Sequence, residues 1–389
     1  MSYIAHTVKM QARRRLGCQL AYAWRVDLAD RIKGCLLAGA AGDALGAPVE
    51  FLSWAGIQAK FGPDGVTALA SPGRFTDDTQ MTLFTLEGLI RASVRGRSKG
   101  ICHPPSVVRH AYLRWLHTQG VPWPQAGEEF AAAHPCPDGW LVSQPSLHRR
   151  MAPGSTCLSA LRAGGGGTVD SPANDSKGCG AVMRAAPVGF FFDSAAEVWG
   201  TACEIAAITH GHADGIHSAG VLAVAIRLVA DGRQLASAIR DAATFAPAES
   251  NTRQAVTSAL ELAASGPPDP ATLNSRLGDG WVGEEALAIA ACCAVATPTP
   301  AAALLAAVNH SGDSDSTGSI AGNLVGAAYG PRAVPPEWLD VLDGADLVEQ
   351  ISLDAATELL SPPSRTDATV PDLWANDPPE DWWSRYPGW

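Results

Sequence analysis

Two short acidic segments carry the clearest chemical signal in the sequence. The first, Arg74-Phe75-Thr76-Asp77-Asp78-Thr79-Gln80-Met81, opens an apolar-periodic stretch that runs to about Val94. Thr76 is the expected N-cap, with Asp77 and Asp78 in the first turn near the positive end of the helix dipole. About 235 residues later comes Asn309-His310-Ser311-Gly312-Asp313-Ser314-Asp315-Ser316-Thr317-Gly318, ahead of a small-residue helix expected over Ser319–Tyr329. In an extended loop Asp313 and Asp315 point the same way, with Ser316 or Thr317 capping the helix behind them. Each segment alone also reads as acids supporting a helix start. Together they offer four carboxylates and several hydroxyls, with no competing thiol or His pair. Clustered carboxylates repel unless cations neutralise them, and hard oxygen donors select Mg²⁺, Mn²⁺ or Ca²⁺ over zinc. Two ions ~3.5–4 Å apart are the natural occupant. An EF-hand is excluded, because its glycine and terminal glutamate are missing.

Three further segments are glycine-rich or carry histidine. Gly39-Ala40-Ala41-Gly42-Asp43-Ala44-Leu45-Gly46 leads into Ala47-Pro48-Val49-Glu50. No strand precedes it, so close helix packing explains its glycines better than a dinucleotide fingerprint, and Glu50 is free to reach a site. Ser176-Lys177-Gly178-Cys179-Gly180-Ala181-Val182-Met183-Arg184 can cradle phosphate with backbone N–H groups at a helix start, or form a plain turn. Thr209-His210-Gly211-His212 ends a helix, where such a pair serves as a cap or core feature unless a ligand claims it.

The elements that must position these residues are helices. Apolar residues recur at helical spacing through Met81, Phe84 and Leu89, through Val107, Tyr112 and Leu116, and through Val198, Cys203, Ile205 and Ile208. Segments 218–231, 234–246, 252–264, 284–296, 300–309 and 317–328 read the same way. Alternating β-branched runs are nearly absent. About a dozen helices in one large all-α domain over 29–365 is expected, after an irregular extension at 1–28. A tail over 366–389 holds Trp374, Trp382, Trp383, Tyr386 and Trp389, and is expected to pack on its own domain.

Composition narrows the function. The 389 residues are 47% apolar and 17% charged, which excludes disorder for the bulk of the chain. A net charge of −11, with no basic block beyond Arg13-Arg14-Arg15, argues against nucleic-acid binding. Nine scattered cysteines form neither a disulfide framework nor a zinc pattern. No segment reaches the ~20 apolar residues of a membrane span, so a soluble cytoplasmic protein is expected. Arg outnumbers Lys 23 to 5, which with abundant Ala, Gly and Pro suggests a GC-rich bacterial gene.

In this order, the segments resemble the ADP-ribosylglycohydrolase family, which is similar to the dinitrogenase reductase-activating glycohydrolases and the ADP-ribosylarginine hydrolases. The resemblance covers roughly 30–332 and rests on GDALGAPVE, FTDDTQM, Pro153-Gly154-Ser155-Thr156-Cys157, SKGCGAVMR, THGH and NHSGDSDSTGSIAGN. It implies an orthogonal helix bundle with two divalent ions, Mg²⁺ with Mn²⁺ as the alternative, on the floor of an ADP-ribose cleft. Thr76, Asp77, Asp78, Asp313, Asp315 and Ser316 would then be metal ligands. Glu50, Asp77, Asp78 and Asp315 would be catalytic. Ser176, Gly178, Cys179, Gly180, Met183 and His210 would bind ADP-ribose, the loop at its diphosphate and His210 at the adenosine end. The implied reaction is hydrolysis of the bond between ribose and a protein side chain by a monomeric enzyme.

One departure stands out. Nitrogenase-type relatives carry an aspartate just before the turn that here reads Ala152-Pro153. The Asp-Ser-Asp-Ser form of the second acidic segment resembles the arginine-directed branch, whereas the serine-directed one carries Asp-Thr-Asp-Thr. Arginine is therefore the expected linkage. Two alternatives stay open: a non-catalytic ADP-ribose-binding relative of the J1-crystallin kind, and a dimetal nucleotide phosphohydrolase.

Overall fold

A computed structural model describes residues 20–363 and 381–388. Helices of eight or more residues begin with α1 (Leu20–Gly46), α2 (Trp54–Phe61), α3 (Asp77–Lys99), α4 (Pro104–Thr118) and α5 (Ser155–Ala163). They continue with α6 (Ala195–Ala207), α7 (Ala213–Ala230), α8 (Leu235–Ala243), α9 (Asn251–Ala263) and α10 (Pro270–Leu277). The last are α11 (Gly283–Ala296), α12 (Pro300–Val308), α13 (Ser314–Tyr329) and α14 (Ala345–Leu360). Among the described residues extended pairing is limited to two isolated bridges, Gly73 with Leu342 and Gly178 with Val282. The all-α bundle expected from periodicity is the observed fold.

The pairing of α1 with α13 sets the site. Small residues recur every four positions on both, at Gly34, Ala38, Gly42 and Gly46 and at Gly318, Gly322 and Gly326, so each helix presents a flat stripe. A Cβ added at Gly42 would lie 2.0 Å from the Gly318 carbonyl oxygen, and one at Gly326 2.1 Å from that of Gly34. Backbones packed this closely tolerate no side chain between them. Asn323 locks the pair by donating its Nδ2 to the Cys35 carbonyl at 2.9 Å. The consequence is positional: the C-terminal end of α1, with Asp43, meets the N-terminal end of α13, with Asp313 and Asp315.

Around this pair α3 packs on α4, α7 on α6, and α9 on α11, and α14 covers the flank of α1. Helix α7 is long and apolar enough to cross a membrane by composition, yet 78% of it is buried inside the bundle, as befits a core helix. Eight of the cysteines are described, and all eight are free thiols.

The segment expected to be irregular over 1–28 lies outside the described residues up to 19, and α1 begins at Leu20. Trp374 and Trp389 of the tail also lie outside them. Trp382 and Tyr386 are fully buried, Tyr386 donates to Asp354 at 2.5 Å, and the Arg385 guanidinium stacks over Trp140 at 4.2 Å.

Candidate active site

Helix α3 starts where the sequence places it. Thr76 is extended at φ −101° and accepts from the Asp78 N–H at 3.4 Å. The remaining N-terminal donors go to a residue the sequence did not single out. Asp43, at the end of α1, accepts the backbone N–H groups of Thr76 and Thr79 at 2.8 and 2.9 Å and both their hydroxyls at 2.9 and 2.6 Å. This carboxylate therefore caps α3 from another helix while standing among the acids it positions. Its signal was present, an acid one residue past Gly42 in the packing stripe, but it reads as a helix-surface residue until the partner is known.

The second acidic segment differs from expectation. It is no extended loop followed by a helix at Ser319, because α13 begins at Ser314. Asp313, rather than Ser316 or Thr317, is its N-cap, accepting the Ser316 N–H at 3.3 Å. The reason lies in what precedes it. Gly312 sits at φ +112° against the Asp279 carbonyl, which takes the Asp313 N–H at 2.8 Å. Asn274 pins Ser311 through both its backbone groups, at 2.7 and 3.0 Å. Held that way, the chain turns into helix at Asp313, and Asp315 falls in the first turn.

Three stretches of chain converge here. Oxygens of Glu50, Asp313 and Asp315 all lie within 4.8 Å of one another. Asp77, Asp78, Asp313 and Asp315 are at most 4% exposed, while Glu50 is half-buried on the loop between α1 and α2. Burial raises every one of these carboxyls, and Asp315 adds repulsion to Asp43, Glu50, Asp77, Asp78 and Asp313. Asp43 is pushed up to about 7 and Glu50 to about 8. Asp78 Oδ1 is buried with no hydrogen-bond partner. A buried carboxylate oxygen without a donor, beside like charges, fits a cation. The oxygen-only donor set of Thr76, Asp77, Asp78, Asp313, Asp315 and Ser316, with Glu50 at the edge, suits hard divalent ions.

The turn at 151–154 wraps Asp77. The Met151 carbonyl takes the Asp77 N–H at 3.2 Å, and the Gly154 N–H donates to Asp77 Oδ2 at 2.9 Å. Between them Ala152 is forced to φ +46°, a conformation that Asn and Asp tolerate and alanine resists. An aspartate, the residue of the nitrogenase-type pattern at this position, would suit this backbone better than alanine does. Ala152→Asn is expected to stabilise the protein by about 1 kcal/mol in chemical unfolding; an unchanged or lower midpoint would count against strain at this position.

The glycine segment lies alongside. It enters a six-residue 3₁₀ turn, Cys179–Arg184, the turn being one of the two readings its sequence allows. A second 3₁₀ segment, Ala186–Phe190, follows after Ala185, and Pro187, which has no N–H to donate, keeps the two from running on as one α-helix. The Cys179 thiol donates to Asp313 Oδ2 at 2.7 Å, which ties the loop to the acids. Ser176 Oγ accepts the Gly178 N–H at 3.3 Å and lies 3.1 Å from the Thr156 hydroxyl of the Pro153–Cys157 segment. A Cβ at Gly180 would lie 3.1 Å from His210 Cε1 and 3.0 Å from Cys157 Sγ, so only glycine keeps this surface open. Met183 is in the core beneath the loop, with its carbonyl accepting from Thr82. Beside the loop, Trp281 stacks on Phe51, the residue after Glu50, at 5.6 Å, and both rings are exposed. A separate cavity of about 540 Å³ lined by Arg95, His103, His110 and Trp123 shares no residue with this site.

Comparison with known proteins agrees with this geometry. The ADP-ribosylglycohydrolase family profile matches residues 25–365. An ADP-ribosyl-[dinitrogen reductase] glycohydrolase of Rhodospirillum rubrum is 27% identical over 334 residues, covering 81% of this chain and 90% of its own. An ADP-ribosylarginine hydrolase, Tri1, of Pseudomonas putida is 24% identical, covering 83% and 77%. A solved structure described as an ADP-ribosylglycohydrolase-related protein complex superposes with a TM-score of 0.58 at 25% identity, over 86% of this chain and 99% of that one. With all the motif segments gathered at one end of the α1–α13 pair, the chain belongs to the ADP-ribosylglycohydrolase family.

Proposed function

We propose that this protein is a divalent-metal-dependent hydrolase that releases ADP-ribose from a modified arginine side chain. One observation carries the reading: the oxygens of Glu50, Asp313 and Asp315 cluster within 4.8 Å, the buried Asp77 and Asp78 stand near enough to feel the Asp315 charge, and the Cys179 thiol hydrogen-bonds a glycine loop to Asp313. The name of the Pseudomonas relative, an ADP-ribosylarginine hydrolase, supports the arginine linkage. In this reading Asp77, Asp78, Asp313 and Asp315, with Thr76 and Ser316, hold two Mg²⁺ or Mn²⁺ ions. Bound there, such ions supply Lewis acidity toward ribose hydroxyls and water.

The chain's own residues do the rest. Ser176, Gly178, Cys179 and Gly180 seat the diphosphate, with His210 behind them. Water oxygen bonds to C1″ as the bond from C1″ to the guanidine nitrogen breaks. Glu50, half-buried at the cluster's edge and ionised when a cation offsets the charge of its neighbours, takes the water's proton, and the departing guanidine takes one from solvent. The buried carboxylates stabilise positive charge growing on the sugar. The exposed Phe51–Trp281 pair flanks the opening and excludes water from one side.

The test is release of ADP-ribose from a peptide mono-ADP-ribosylated on arginine, in Mg²⁺ and in EDTA. Metal-dependent release is the expected result. Release from a serine-linked peptide alone overturns the linkage, and phosphate or AMP in place of ADP-ribose overturns the reaction class.

A further inference from the structure

Arg184 is fully buried, and among the described residues it forms no ion pair. A guanidinium withdrawn from water without an acid is costly, so its contacts deserve accounting. Nη1 meets Met81 Sδ and Cys157 Sγ, each at 3.4 Å, and the ring of Tyr112 lies 4.3 Å beneath. Its one strong hydrogen bond runs from Nη2 to Thr209 Oγ1 at 2.6 Å. Thr209 Oγ1 in turn lies 2.8 Å from His210 Nδ1.

Proton bookkeeping orders this chain. A guanidinium can only donate, so Thr209 Oγ1 accepts from Arg184 and keeps its own proton to give. The Nδ1 lone pair is the good acceptor within reach. Cys157 sulfur is also near the hydroxyl, but sulfur accepts weakly, and this one already receives Arg184 Nη1. His210 therefore has a bare Nδ1 and carries its proton on Nε2. That edge of the ring faces the glycine loop: a Cβ at Gly178 would lie 3.6 Å from Nε2, and one at Gly180 3.3 Å. Burial and the Arg184 charge hold the ring neutral, pushing it down to about 3, so the tautomer decides what the ring offers.

We propose that Arg184, acting through Thr209, fixes His210 as its Nε2–H tautomer and so makes it a hydrogen-bond donor to an anionic group seated on the Gly178–Gly180 loop. Arg184 and Thr209 are positioning residues; His210 touches the ligand. The donor role rests on the reading of that loop as the diphosphate seat, whereas the tautomer does not.

The experiment combines ¹⁵N NMR of histidine-labelled protein, with His210→Gln assigning the resonance, and calorimetric titration with ADP-ribose. Wild type and Thr209→Ser are expected to show His210 protonated on Nε2 and to bind alike. Thr209→Val, equal in size but without the hydroxyl, is expected to show mixed tautomers and about tenfold weaker binding. A wild-type spectrum with the proton on Nδ1 overturns the proposal without recourse to any variant, so a Thr209→Val protein that fails to fold does not shield it. Unchanged tautomer and affinity in Thr209→Val overturn it too. Wild type that shows the Nε2–H tautomer but does not bind ADP-ribose overturns the donor role and the loop reading, leaving the relay intact.

Discussion

Asp315→Asn is expected to lower ADP-ribose release by about a thousandfold while making the metal-free protein more stable. Both effects follow from where Asp315 sits. It is the carboxylate whose charge raises Asp43, Glu50, Asp77, Asp78 and Asp313 together, so it is the electrostatic centre of the cluster. Asn preserves the volume and can still accept the Ser316 N–H that Asp315 takes at 3.0 Å. It removes the charge that would hold a cation, and the repulsion paid without one. At pH 8 in EDTA the gain should be ~1 kcal/mol or more, read as a higher unfolding midpoint, because one pKa unit relieved on a neighbour is worth that much. Near pH 5, with the neighbours protonated, wild type and variant should converge. A variant that keeps near-wild-type turnover would remove Asp315 from the site. One that is less stable at pH 8 would mean that Asp315 serves as a helix-start residue before anything else.

The contrast between the legible and illegible parts of this site has a physical pattern. Thr76, Asp77 and Asp78 were readable because an N-cap and its first turn are local: residue type alone selects the geometry. Asp313 was readable as an acid but not as a cap. Asp-Ser-Asp-Ser-Thr offers five capping residues in a row, and the choice among them is made by the Asp279 carbonyl and Asn274, more than thirty residues upstream. Asp43 was hidden for a related reason. The five hydrogen bonds its carboxylate accepts all come from Thr76 and Thr79, so nothing near it in sequence signals them.

The fold was more legible than the site because helix periodicity is intrinsic to each segment. Segments 252–264, 284–296 and 300–309 fall within a residue or so of α9, α11 and α12. The four-residue glycine spacing in α1 was read as packing, and packing is what it does. What spacing could not supply was the partner. Only the matching stripe at Gly318, Gly322 and Gly326 makes the approach close enough to bring both acidic ends together. His210 shows the same limit at the level of one proton: the family resemblance marked it as a binding residue, but which nitrogen it offers depends on Arg184 and Thr209.

Stability in EDTA is expected to fall as pH rises from about 6.5 to 8, and divalent metal is expected to reverse the trend. In the unfolded chain the cluster's carboxyls titrate near 4. In the folded chain Asp43 titrates at about 7 and Glu50 at about 8, and Asp77, Asp78 and Asp313 are raised as well. Between those limits these carboxyls hold more protons in the folded chain than in the unfolded one, so unfolding releases them and each rise in pH favours it. Below about pH 6.5 His110, His210, His217 and His310, all pushed down by burial, act in the opposite sense, because the unfolded chain takes up protons there that the folded one does not. Asp138 and Asp214, whose carboxyls are depressed by partners, do so only below about pH 4, so the fall is read above about pH 6.5. A divalent ion binds the deprotonated cluster, so its affinity grows as the protons leave. At an ion concentration one hundred times its pH 8 dissociation constant, stabilisation should be about 2.7 kcal/mol at pH 8 and much smaller at pH 5. Thermal unfolding across pH in EDTA, Mg²⁺ and Mn²⁺ measures both trends. Calorimetry in buffers of different ionisation enthalpy should detect protons released as metal binds. A flat profile in EDTA above about pH 6.5, where the histidines no longer contribute, would mean that the carboxyls are not raised. A metal shift independent of pH would mean that the ions bind elsewhere, since no cation can enter this cluster without displacing its protons.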